Sequence, residues 1–85
     1  MAPLALRIYS RPGCHLCDDM KAVVEPLVRE LGATLEEVDI SGDPDLEARF
    51  GTEIPVLFIN GRKAFKYRVT ARELRQRLRR DAYRS

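Results

Sequence analysis

The spacing of apolar residues changes once near the start of the chain, and that change constrains the fold most. From Leu4 to Tyr9 the pattern alternates, with Leu4, Leu6 and Ile8 set against Ala5, Arg7 and Tyr9. Period two is the mark of a strand with one face buried. Ser10-Arg11-Pro12-Gly13 then interrupts with two backbone punctuators. Beyond it, Leu16, Met20, Val23, Val24, Leu27 and Leu31 recur at helical spacing. The pattern predicts a long helix that starts near Cys14 and stops at Gly32. Asp18 and Asp19 fall in its first turns, where carboxylates suit the helix dipole. Pro26 lies inside it, lacks an N–H and crowds the carbonyl of Ala22, so a kink is predicted there.

Thr34 to Ile40 reads as a second strand, with Leu35, Val38 and Ile40 buried and the alternation imperfect. Asp43-Pro44-Asp45 reads as a helix start, with Asp43 the cap and Pro44 the first helical residue. This short helix is predicted to run to Phe50 and end at Gly51. Pro55 to Ile59 is a continuous apolar run that suits a central strand. Asn60-Gly61 is the favoured two-residue hairpin turn, and Arg62 to Tyr67 is its return strand. Thr70-Ala71-Arg72-Glu73 forms a capping box, with Val69 and Leu74 at the staple positions. Ala71, Leu74, Leu78 and Ala82 make a narrow apolar seam on the otherwise basic helix that follows.

The predicted order is β-α-β-α-β-β-α. Two strands joined by a helix are expected to be parallel, through a right-handed crossover. A hairpin makes the last two antiparallel. The result is one α/β domain over residues 1–85, a small mixed sheet flanked by helices. At 85 residues its core is modest. With 45% hydrophobic and 33% charged residues, the chain has the balance of a folded domain rather than a disordered one. No apolar run approaches the ~20 residues of a membrane helix. The first residues lack the basic and apolar regions of a secretory leader, so the expected compartment is the cytoplasm and no membrane partner is expected.

Charge is unevenly spread. Residues 1–61 hold five basic and eleven acidic residues, a balance of −6, and residues 62–85 hold ten basic and two acidic, a balance of +8. A solvated helix face explains this most simply. Docking of an acidic partner is the sharper alternative. Nucleic acid ranks low, because no aromatic residues interleave with the arginines.

Two cysteines are too few for a disulfide scaffold, and in a reducing compartment a close pair is catalytic or metal-binding. Cys14-His15-Leu16-Cys17 opens the first helix directly after the first strand. A thiolate is the nucleophile of disulfide exchange, and free N–H groups at a helix start favour it. Cys14 stands at the exposed entry and is the residue expected to carry a lowered pKa. Cys17, three residues on and more covered, can close onto it. Arg11 and protonated His15 add positive charge there, while Asp18 and Asp19 oppose it. Metal binding is the rival reading. Tetrahedral zinc takes four ligands, and beyond Cys14, His15 and Cys17 the chain has no further cysteine or histidine. A bridged dimer could still supply four thiolates to zinc or an iron–sulfur cluster. Haem attachment fails because Asp18 follows Cys17. A non-catalytic interaction module is the third reading.

Arg11-Pro12-Gly13-Cys14-His15-Leu16-Cys17 between strand and helix resembles the redox loop of glutaredoxins and thioredoxins. Thr52-Glu53-Ile54-Pro55-Val56 ahead of an apolar strand resembles the cis-proline segment of the same family. The resemblance runs from about Leu4 to Leu78. It implies a thioredoxin-like four-stranded mixed sheet and a thiol–disulfide oxidoreductase. By the same resemblance Cys14 attacks, Cys17 resolves, the Ile54–Pro55 bond is cis, and the Ile54 backbone binds an extended substrate. Arg11, His15, Thr52, Ile54 and Pro55 form the substrate-facing set. The implied substrates are disulfides of proteins or small thiols, reduced by a monomer without cofactor or metal. Thioredoxin reductase or glutathione is the implied electron donor. Glutaredoxins usually carry a Gly-Gly turn and an acidic pair before the last helix. Ala64-Phe65-Lys66-Tyr67-Arg68-Val69-Thr70 has neither, which predicts poor use of glutathione.

Overall fold

A computed structural model describes residues 3–82; Met1, Ala2 and residues 83–85, Arg84 of the basic end included, lie outside the described residues. The elements are β1 (Ala5–Ser10), α1 (His15–Leu31), β2 (Thr34–Asp39), α2 (Pro44–Phe50), β3 (Val56–Ile59), β4 (Arg62–Lys66) and α3 (Ala71–Ala82). They form a four-stranded mixed sheet in the order β2-β1-β3-β4. β2 lies parallel to β1, while β3 runs antiparallel to both β1 and β4. This is the thioredoxin-like architecture that the motifs imply.

Alternation along β1 serves two cores. Leu6 and Ile8 join Met20, Val24, Leu27 and Val28 of α1, Leu57 and Ile59 of β3, and Leu74 and Leu78 of α3. Tyr9 points the other way, into a smaller core with Ile40, Phe50 and Val56 beside α2. There the Tyr9 and Phe50 rings stack with centroids 4.4 Å apart, and Phe58 meets Tyr9 edge-on at 5.4 Å. The imperfect pattern of β2 now has a cause. Leu35 packs on the first core and Val38 on the second, so this edge strand is partly covered on both faces.

Two local expectations need correction. Leu31 is 42% exposed in the last turn of α1, and Val28, four residues after Val24, completes the buried stripe instead. Pro26 lies inside the helical span of α1, as the sequence places it. Ala22 and Pro26 both face outward, where water can satisfy the carbonyl that loses its partner. β4 stops at Lys66, one residue early, because Tyr67 takes φ +68°. A strand cannot continue through a left-handed residue.

The punctuation signals fall where the sequence puts them. Asn60 and Gly61 both have positive φ, as the hairpin turn requires. The side-chain oxygen of Asn60 also accepts from the Ala5 N–H at 2.8 Å, tying the hairpin to β1. Asp43 caps α2 by accepting from the Asp45 and Leu46 N–H groups. In α3 the Glu73 N–H donates to Thr70 Oγ1 at 3.1 Å, and the Thr70 N–H donates to Glu73 Oε1 at 3.0 Å. Thr70→Ala leaves a donor without its partner and is expected to cost about 1 kcal/mol, read by urea denaturation.

Candidate active site

β1 delivers the chain to one end of the sheet, and Arg11, Pro12 and Gly13 turn it into α1. Gly13 takes φ +75°, a conformation that side chains disfavour, immediately before Cys14. Cys14 is then the N-cap of α1, with φ −90° and ψ 114°. Its Sγ accepts from the Cys17 N–H at 3.2 Å. A serine or aspartate oxygen usually fills that role; here sulfur does. Donors at a helix start stabilise negative charge, so the same geometry favours a Cys14 thiolate.

Cys14 and Cys17 are joined as a disulfide, with Cα atoms 5.2 Å apart. Their exposures differ sharply. Cys17 is 1% exposed and packs inside α1, whereas Cys14 is half-buried at the helix entry. An incoming sulfur therefore reaches Cys14 first, and Cys17 can meet it only from within.

The segment before β3 comes to the same end of the sheet. Pairing of Tyr9 with Val56 sets Pro55 level with Ser10, where β1 leaves the sheet. The Ile54–Pro55 bond is cis. Pro55 is buried, Ile54 half-buried and Thr52 exposed. The N–H and C=O of Ile54 take part in none of the turn and loop hydrogen bonds among the described residues. Its neighbours are engaged: the Glu53 N–H donates to the Phe50 carbonyl at 2.8 Å, and the Pro55 carbonyl accepts from the Tyr67 N–H at 2.9 Å. Ile54 thus keeps a free backbone edge on an otherwise fastened loop.

The charged residues near the cysteines are partly committed elsewhere. Arg11 donates to the carboxylate of Glu47 in α2, which offsets the positive charge that Arg11 brings to the loop. His15 is exposed at the first position of α1. Asp18 is exposed and lies 3.6 Å from Lys21 Nζ. Lys21 also donates to Glu37 at 2.8 Å, and the Ser10 hydroxyl donates to the same carboxylate at 3.1 Å. The Lys21 hydrogen bond, with help from Ser10, holds the Glu37 carboxyl below its usual range. Lys63 does the same for Glu53. Among the described residues no group of three or more His, Cys, Asp or Glu could hold a metal ion. No described helix is long and apolar enough to cross a membrane.

Comparison with known proteins agrees with this geometry. The model of the glutaredoxin-like domain (DUF836) matches residues 5–79. The chain belongs to this glutaredoxin-like family. Among relatives, a "Glutaredoxin-like protein YDR286C homolog" of Dictyostelium discoideum is 33% identical over 70 residues; the match covers 75% of this chain and 65% of that one, just under two thirds of the relative's length. Protein XcR50 from X. campestris, an X-ray structure, shares 34% identity with a TM-score of 0.71, over 88% of this chain and 96% of that one. Fasciola hepatica thioredoxin, at 20% identity and a TM-score of 0.61 over 92% of this chain and 80% of its own, shares the fold. As a glutaredoxin-like domain, the chain carries its Cys-x-x-Cys pair at the start of α1.

The sequence-predicted residues Arg11, Cys14, His15, Cys17, Thr52, Ile54 and Pro55 all lie in the two segments at this end of the sheet. Sequence reading missed Glu47 and Tyr67. Glu47 is 36 residues from Arg11, and no local pattern joins them. Tyr67 left a fainter signal: no Gly or Asn stands between Ala64 and Thr70, yet the chain must reverse there.

Two outcomes are expected. Reduced Cys14 is expected to titrate below the ~8.5 of a free thiol, followed by its ultraviolet thiolate absorbance. A carboxyl lowered in the folded state contributes stability fully above its unfolded value, near 4.5 for Glu37, and loses it as pH falls through the folded value. Glu37→Gln is therefore expected to flatten the acid side of the stability profile in denaturation experiments at several pH values.

Proposed function

We propose that this protein is a dithiol–disulfide oxidoreductase working through Cys14 and Cys17. The observation that carries this reading is the Cys17 N–H aimed at the Sγ of a half-buried Cys14, with Cys17 itself buried one turn in. In the reduced state the Cys14 thiolate attacks one sulfur of a substrate disulfide. A mixed disulfide forms, and the other substrate sulfur leaves as a thiolate that takes up a proton. Cys17 then loses its proton and attacks Cys14 Sγ. This closes the Cys14–Cys17 bond and releases the second substrate thiol. The protein is oxidised by two electrons and the substrate disulfide is reduced by two. A thiol or dithiol donor, such as glutathione or thioredoxin reductase, restores the pair.

The free backbone edge at Ile54 supports an extended substrate, because a strand-like segment can pair its own N–H and C=O there. By resemblance to the family, Thr52 and Pro55 flank that segment, with Arg11 and His15 beside the cysteines. Polypeptide disulfides fit this edge better than glutathione does. A γ-glutamyl group needs backbone N–H groups at close approach and an acid for its ammonium. Glycines give that approach, whereas this turn carries Phe65, Lys66, Tyr67 and Arg68. Exposed pairs with Lys66 or Arg68 contribute only ~0–1 kcal/mol each, too little to replace a shaped site.

Single-cysteine variants test the roles. Cys17→Ser is expected to accumulate mixed disulfides through Cys14, and Cys14→Ser to accumulate none; equal trapping by both would reject the assignment. In coupled assays with NADPH, the thioredoxin reductase route is expected to outpace millimolar glutathione with glutathione reductase. Efficient turnover with glutathione would overturn the donor preference.

A further inference from the structure

Tyr67 has three properties that packing alone does not explain. It takes φ +68°, a left-handed conformation that is uncommon for a bulky side chain. The Arg68 N–H donates to the Lys66 carbonyl at 2.8 Å, closing a tight three-residue turn around it. The residue is 42% exposed, so burial does not account for the left-handed backbone. What Tyr67 gains instead is a hold on the segment before β3. Its N–H donates to the Pro55 carbonyl at 2.9 Å, and its hydroxyl donates to the Thr52 carbonyl at 3.0 Å. One residue thereby fastens both ends of the Thr52–Pro55 segment. Glu53, between them, is held from β4 by Lys63 and, at 3.9 Å, by Lys66. Among the described residues of this segment, Ile54 is the one whose N–H and C=O both take part in none of these bonds.

We infer that Tyr67 is a positioning residue for polypeptide substrates, fixing the Ile54 backbone edge at the height and angle at which an extended chain pairs with it. The inference rests on the oxidoreductase reading above and deepens it. Strain held by surrounding hydrogen bonds is a mark of a site kept in one conformation for use. A preset edge saves the substrate the cost of ordering the loop, so its loss appears in binding. Tyr67 touches no reacting sulfur in this scheme, and the chemistry of the cysteines does not depend on it.

The test compares two disulfides: oxidised insulin, whose chains can lie along the edge, and hydroxyethyl disulfide, which has no backbone to pair. Tyr67→Phe keeps the ring and removes only the hydroxyl bond to Thr52. It is expected to raise KM for insulin about fivefold, the worth of one hydrogen bond, with kcat and hydroxyethyl disulfide turnover within about twofold. Tyr67→Gly suits the left-handed backbone, so the fold is kept while the ring is lost. It is expected to show the same split or a larger one, with faster amide exchange across Thr52–Ile54. An unchanged KM for insulin in both variants would overturn the inference. So would an equal loss on both disulfides, which would mark a general role in the fold or in the cysteine chemistry. A native protein that turns over neither disulfide would overturn the oxidoreductase reading itself, and this inference with it.

Discussion

The N–H groups at the start of α1 need acceptors, and the first acceptor they find is the sulfur of Cys14. That hydrogen bond makes one cysteine both a structural cap and a favoured site of negative charge. Everything else about the site follows from where α1 begins. Three residues on, Cys17 comes within bonding reach yet stays buried beneath the first turn. The asymmetry between an accessible and a covered thiol is thus a consequence of helix geometry, and in the proposed reaction it sets the order of attack and resolution.

Holding the helix start in place is the task of the rest of the fold. Met20, Val24, Leu27 and Val28 anchor α1 on Leu6, Ile8, Leu57 and Ile59 of the sheet. Each fully buried side chain of this kind contributes roughly 1.5–3 kcal/mol, enough to hold the start of α1 against the end of the sheet. The smaller core under α2 carries Tyr9, Phe50 and Val56, and so fixes the approach to Pro55. Arg11 reaches α2 through Glu47, linking the cysteine loop to this second core. The cysteine loop and the Ile54–Pro55 segment are therefore braced from both sides of the sheet.

Much of this was legible in the residues. Periodicity located β1 and α1, because buried faces demand it. Asp43, Thr70 with Glu73, and Asn60-Gly61 marked starts and turns through local bonds that any reader can infer from their side chains. The cysteine pair was legible because its context, strand then helix, is written in the flanking pattern. What escaped was long-range or paid for by tertiary contacts. Leu31 fits the helical stripe, yet the stripe outlasts the sheet it covers. Tyr67 reads as a strand residue, and only the carbonyls of Thr52 and Pro55, twelve or more positions away, explain why it turns left-handed. Side chains that satisfy distant backbone leave little trace in their own neighbourhood.

The reduction potential of the Cys14–Cys17 couple tests the central claim most directly, by equilibrating the protein in glutathione and dithiothreitol buffers and quantifying both forms. A pair whose reduced state is stabilised by helix-start donors is predicted to titrate as one two-electron couple between about −270 and −120 mV, the span of thioredoxin-fold catalysts. A potential below about −300 mV, where structural disulfides lie, would contradict the account.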